Sequence, residues 1–261
     1  MLRIIDARTG EPVEAAPARR GLTRVQAHAS GFGPTALRVL LTADVLVRAL
    51  ELGGTPVWAM LSGHHEQAEL RAAATTLGIR PFEDAHDLAS GLGEAQVIHV
   101  AGEGDPLPPG GVVVGVAPVS GPTARDTAPG APPSSRGTVP DRGLPADLPD
   151  PSVLRLALLA SPRGAPVRLD ADALDEAGRT LARWRRAVAL WARQPSRPVP
   201  DDVRGRLRAA WEDDLNVPEV LSVLNSVETA PALSDGARFE TYAYTDRLLG
   251  LDVARDLGSF A

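Results

Sequence analysis

Apolar residues change their spacing near the middle of this chain. In the first half they form short runs that predict strands: Leu2-Arg3-Ile4-Ile5, a Thr9-Gly10 turn and Pro12-Val13 read as an edge hairpin, and Thr23 to His28 alternates. Gly31-Phe32-Gly33-Pro34 breaks that strand. From Thr35 to Leu52 the apolar positions Leu37, Leu40, Leu41, Val45, Leu46, Ala49 and Leu50 recur at helical spacing, up to a Gly53-Gly54 stop. Pro56 to Leu61 is a continuous apolar run, as a strand covered on both faces requires; Glu66 to Leu77 reads as a helix, and 97–101 and 111–116 as two more strands. Strands alternating with helices, joined by right-handed crossovers, predict a doubly wound parallel sheet, an α/β domain over residues 1–118.

Residues 119–149 are rich in Pro, Gly, Ser and Thr and almost free of large apolar side chains, which predicts a linker or loop. From Asp150 the period becomes helical throughout, with segments near 153–159, 171–193, 203–215, 218–226 and 239–249, so residues 150–261 are expected to form an all-helical bundle domain. Trp184, Trp191 and Trp211 sit among alanines and leucines at helical spacing and are expected in its core; the Arg183, Arg185 and Arg186 cluster is expected on a solvated face.

Composition narrows the chemistry. The chain has no cysteine and no lysine, all 27 basic residues being arginine, which excludes disulfides, thiolate nucleophiles, Cys-ligated zinc and Schiff-base chemistry. A formal charge of −6 argues against a broad phosphate-binding surface. With no long apolar span and no signal-type N-terminus, the expected address is the cytoplasm. His64-His65-Glu66 opens a helix, where adjacent histidines point apart and no third ligand is evident, so no metal is expected there.

Two stretches carry a family likeness. Asp150-Pro151-Ser152-Val153-Leu154-Arg155-Leu156-Ala157-Leu158-Leu159 resembles the Asp-Pro-x-x-Leu-Arg-Leu-x-Leu-Leu element of the cysteinyl-tRNA synthetases, and Asp213-Asp214-Leu215-Asn216-Val217-Pro218-Glu219 is similar to their Asp-Asp-Leu-Asn-Thr-Pro-Glu. Weaker matches at 44–53, 77–81 and 169–174 occur in the family's order. The chain thus resembles a shortened and degenerate member of the cysteinyl-tRNA synthetase family, class I, which includes the mycothiol-type cysteine ligases. The resemblance implies a Rossmann-like catalytic domain followed by a helical bundle. Independently of any name, Asn216 is placed to cap a helix that restarts at Pro218.

The resemblance also shows what has changed. Gly33-Pro34-Thr35 looks like the family's Cys-Gly-Pro-Thr, with Phe32 where a zinc-binding cysteine would fall; counting back from Asp44 instead places Gly33 and Ala36 at the ends of the family's histidine turn, and on either alignment both of its histidines are gone. Ser134-Ser135-Arg136-Gly137-Thr138 resembles the tail of the second signature, but Ala131-Pro132-Pro133-Ser134-Ser135 replaces its lysines. No catalytic residue is therefore assigned and no zinc is expected. The candidate nucleotide-binding residues are His28, Gly31, Gly33, Thr35, Arg38, Ser134, Ser135 and Arg136, with ATP as the candidate nucleotide.

The leading expectation is a non-catalytic protein that binds a small ligand or a protein partner. The alternative is an ATP-dependent, aminoacyl-adenylate-forming ligase acting on a small-molecule or carrier amine. A third expectation, tRNA binding, is disfavoured by the acidic charge.

Overall fold

Gly10 turns the first hairpin at φ 74°, a conformation that suits glycine, and joins β1 (Arg3–Ile5) to the antiparallel β2 (Pro12–Glu14). The computed structural model describes residues 1–18, 20–29, 31–63, 67–84, 93–106, 109–121 and 150–258. The main sheet contains β3 (Leu22–His28), β4 (Val57–Ser62), β5 (Glu83–Asp84), β6 (Glu94–Gly102) and β7 (Val112–Val116). All of its pairings are parallel and the spatial order is β5-β4-β3-β6-β7.

The apolar stripe of α1 (Pro34–Leu52) packs across this sheet; Leu37, Leu40 and Leu41 join Val25, Ala27, Ile98, Val100 and Val114 in one core. Strand alternation turns Gln26, His28 and His99 to the opposite face. Outside α1, α2 (Gln67–Thr76) packs on that helix.

Beyond β7 lies β8 (Val119–Ser120), then α3 (Pro151–Leu159), β9 (Val167–Arg168), α4 (Ala171–Trp191), α5 (Asp201–Glu212), α6 (Val217–Thr229) and α7 (Asp235–Leu249). The expected α/β sheet followed by a helical region is present. Three two-residue strands, β5, β8 and β9, were not foreseen, because so short a stretch has no period to read. Two of them pair in parallel, β8 with β9, so a strand from each half joins the halves. The tryptophans are core, as expected: Trp184 is fully buried, and Trp184 and Trp191 both pack edge-on against Tyr242, at centroid distances of 5.7 and 5.2 Å.

The motifs that carry the family likeness do structural work where the halves meet. Asp44, in the middle of α1, is buried and accepts hydrogen bonds from Arg155 (2.6 Å), Arg48 (2.9 Å) and Arg80 (3.2 Å). Arg155, in α3, also donates to the carbonyls of Leu249 (2.6 Å) and Leu77 (3.1 Å), which ties three elements through one side chain. Asp150 caps α3 by accepting from Ser152 N and pairs with Arg185 and Arg255. Arg185 is thus buried rather than solvated, as its cluster had been expected to be.

The Asp213-Asp214-Leu215-Asn216 turn makes the second junction. Asp214 and Leu215 hold φ 56° and 53°, a left-handed conformation that costs roughly 1–2 kcal/mol per residue without glycine. Bonds offset that cost: Asp214 N donates to Arg3 O (2.9 Å), and the Asp214 carboxylate accepts from Ile5 N (2.8 Å) and from Arg163. Arg163 reaches on to the carbonyls of Gly115 (2.7 Å) and Ile5 (3.0 Å). Asn216 then caps α6 through Glu219 N (3.2 Å), with Pro218 in the first turn, as the sequence predicts.

Candidate ligand crevice

From β3 the chain winds outward through β4 and β5, and it then returns to the far side of β3 for β6 and β7. The order therefore reverses between β3 and β6, and their carboxyl ends flank the crevice in which open α/β sheets bind ligands. His28 ends β3 on one side of this crevice, and Gly102 ends β6 on the other.

Above the crevice α1 begins without a side-chain cap. Its N-cap is Gly33, its first residue is Pro34, and no acidic side chain lies in the first turn. No side chain of the helix itself therefore neutralises the positive end of its dipole. Gly31, at φ 94°, turns the chain between β3 and that helix start. Gly102 lets the Asp105 carboxylate fold against the backbone here: a Cβ would lie 2.9 Å from Asp105 Oδ2 and 3.9 Å from the Thr35 methyl. Asp105 is held close by accepting from Gly102 N (3.1 Å).

Two histidines meet at the crevice, which the sequence analysis did not foresee. His28 Nε2 and His99 Nδ1 are 3.0 Å apart, one of them donating. Strand register explains the meeting: His99 lies opposite Gln26, two residues before His28, so both imidazoles leave the same face. The available signal was a histidine in an otherwise apolar strand, which reads equally well as core. Burial lowers the His28 pKa, Asp105 opposes this and Arg24 reinforces it. Burial pulls His99 down to about 4, helped by His28, Arg24 and Arg8.

A folded-state pKa below that of the unfolded chain sets the sign of a pH effect. As pH falls from about 6.5 towards 4, the unfolded chain takes up a proton that folded His99 refuses, so stability is lost across that window. His99 alone is expected to account for roughly 2–3 kcal/mol of the drop in stability of the parent chain between these pH values, read from urea midpoints. Those of His99→Gln should drop clearly less, and parallel curves for the two proteins would show that His99 is not held neutral.

The other sequence-predicted residues divide. Thr35 lines the crevice mouth, and its hydroxyl accepts from Val119 N (3.0 Å), which fixes the start of β8. Arg38 is buried and committed to the protein, with its guanidinium donating to the carbonyls of Ala117 (2.9 Å), Ala165 (2.7 Å) and Pro162 (2.7 Å). Burial lowers its pKa to about 10, so it stays charged at neutral pH. Ser134, Ser135 and Arg136, and also His64, His65 and Glu66, lie outside the described residues.

The family's zinc does not fit the donors present. There is no cysteine in the sequence, and among the described residues no three His, Asp or Glu side chains converge to hold a metal. Among the described residues no helix is long and apolar enough to cross a membrane.

No family model matches the chain. Curated proteins do. The L-cysteine:1D-myo-inositol 2-amino-2-deoxy-α-D-glucopyranoside ligase of Segniliparus rotundus is 37% identical over 108 residues, covering 40% of this chain and 25% of that protein. The ligase of the same name from Streptosporangium roseum is 42% identical over 77 residues, 30% of this chain and 18% of that protein. The one from Mycolicibacterium smegmatis is 35% identical over 108 residues, 40% and 25% of the two chains. The matches thus span about a quarter or less of the length of these relatives.

Proposed function

We propose, from the premise that this chain is a homologue of the cysteine ligases in the cysteinyl-tRNA synthetase family, that it binds a small anionic ligand of the nucleotide class, ATP being the candidate, on a ligase scaffold that no longer charges tRNA. The observation that carries this reading is the crevice at the carboxyl ends of β3 and β6, where α1 starts without a side-chain cap beside Gly102, with His28 at the end of β3 on the other face of the sheet. Peptide N–H groups and the dipole of a 19-residue helix attract phosphate without any lysine. His28 can add a hydrogen bond at its half-buried ring.

The same inventory argues against the transfer step. Class I chemistry stabilises charge on the α-phosphate and the leaving pyrophosphate with histidine and lysine donors, each worth about 3 kcal/mol in an active site. This chain has no lysine. A second reading, an ATP-dependent ligase acting on a small-molecule amine, is favoured by one observation: the relatives are named for joining L-cysteine to an amino sugar inositol.

Calorimetry with ATP and an ATP–pyrophosphate exchange assay separate the two. ATP is expected to bind the parent chain, to bind His28→Ala at least fivefold more weakly, and to support no exchange with cysteine. Exchange above background would establish the ligase reading instead. Absence of binding at millimolar ATP would rule out both.

A further inference from the structure

Away from the crevice, a cleft of about 290 Å³ opens in the helical half, between α3, α4, β9 and α6. Its walls are apolar, built from Leu156, Val167, Ala177 and Leu221 together with the fully buried Trp184. Interiors are packed to the density of organic crystals, and an apolar space of this size leaves its walls without partner atoms. An engineered apolar cavity of about 150 Å³ admits benzene, so this cleft has room for a body about twice as large, such as a bicyclic ring.

The polar groups at the cleft decide the charge of its occupant. Glu176 is paired with Arg179 at 2.8 Å and bonded to Thr180, and Arg168 pairs with Asp170 at 3.2 Å. Trp184 Nε1 donates to Glu228 (3.2 Å), and Asn225 Oδ1 accepts from Arg183 (3.1 Å). The rim pairs are exposed and matched in sign, so the rim has no net charge to favour a charged ligand, while the apolar walls would cost such a ligand its water. What remains for recognition is apolar surface with the Asn225 amide and the Ser161 hydroxyl, the combination that small-molecule sites use.

We infer that this cleft is a second ligand site, taking an uncharged, largely apolar molecule of bicyclic size with one hydrogen-bonding group. It is separate from the nucleotide crevice, so ATP does not compete for it, and its failure would leave the reading of the crevice intact.

The test uses 2-naphthol, with naphthalene-2-sulfonate as the same body carrying a charge. Saturation-transfer NMR and calorimetry on the full chain are expected to show 2-naphthol binding in the micromolar range and the sulfonate at least tenfold weaker. Ala177→Leu, which fills the cleft, and Leu221→Asp, which places an unpaired carboxylate in a half-exposed wall, should each weaken 2-naphthol at least tenfold; the second keeps the test valid if the first fails to fold. No 2-naphthol binding at millimolar concentration, equal binding of the sulfonate, or unchanged affinity in folded variants would overturn the proposal. Sedimentation showing a dimer that Leu221→Asp dissolves would do so too, by assigning the cleft to a second copy of the chain.

Discussion

Asp44→Asn is expected to lower the free energy of unfolding by about 3–5 kcal/mol, the range found when one partner of a buried ion pair is removed. The Asp44 carboxylate is the shared anion for Arg48, Arg80 and Arg155, and Arg155 is wholly buried. Burial alone would raise its pKa, but the guanidinium groups of Arg155 and Arg48 outweigh that and hold it below the usual carboxylate range. With a folded pKa depressed below the unfolded one, its contribution is present above the unfolded value and disappears as pH falls through the folded value. Urea unfolding followed by circular dichroism at neutral pH measures the loss. Adding Arg155→Met to Asp44→Asn should restore part of it, because the uncompensated cation leaves with the arginine; strictly additive losses would mean that the two side chains are not coupled.

Arg38→Ala should lower stability by about 3 kcal/mol while leaving ATP affinity within twofold of the parent, provided calorimetry is done well below the variant's melting temperature. The carbonyls of Ala117, Pro162 and Ala165 would lose a buried cationic donor, and each unmade bond at a buried group costs about 1–3 kcal/mol before relaxation and water entry reduce it. Arg38→Lys is expected to recover little, since an ammonium on a flexible stem cannot span carbonyls on separate loop positions as the planar fork does. An unchanged melting temperature together with lost ATP binding would return Arg38 to the ligand and refute the structural role.

Much of the architecture was legible from the residues. The helix over α1, the strand pattern of β3, β4, β6 and β7, the capping of α6 by Asn216 and the burial of the tryptophans all follow from period, turn chemistry and side-chain size, which act within a few residues of chain. The family likeness was visible as well, through short motifs in a fixed order.

The roles of those motif residues were not legible. Arg155 and Asp44 are 111 positions apart, and Arg163 and Asp214 are 51 apart, so nothing local marks them as partners. Arg38 illustrates the same limit: next to a glycine turn it reads as a phosphate ligand, yet its guanidinium is buried against loop carbonyls. The meeting of His28 and His99 depends on the register between β3 and β6, and a one-residue slip would send one ring to the other face. The sequence by itself determined which segments are strands and helices, where several caps lie, and which chemistries are impossible without lysine or cysteine, because these depend on local propensity and inventory. Tertiary structure alone decided which charges neutralise one another and which side chains reach the crevice, because register and packing bring together residues that are far apart in the chain.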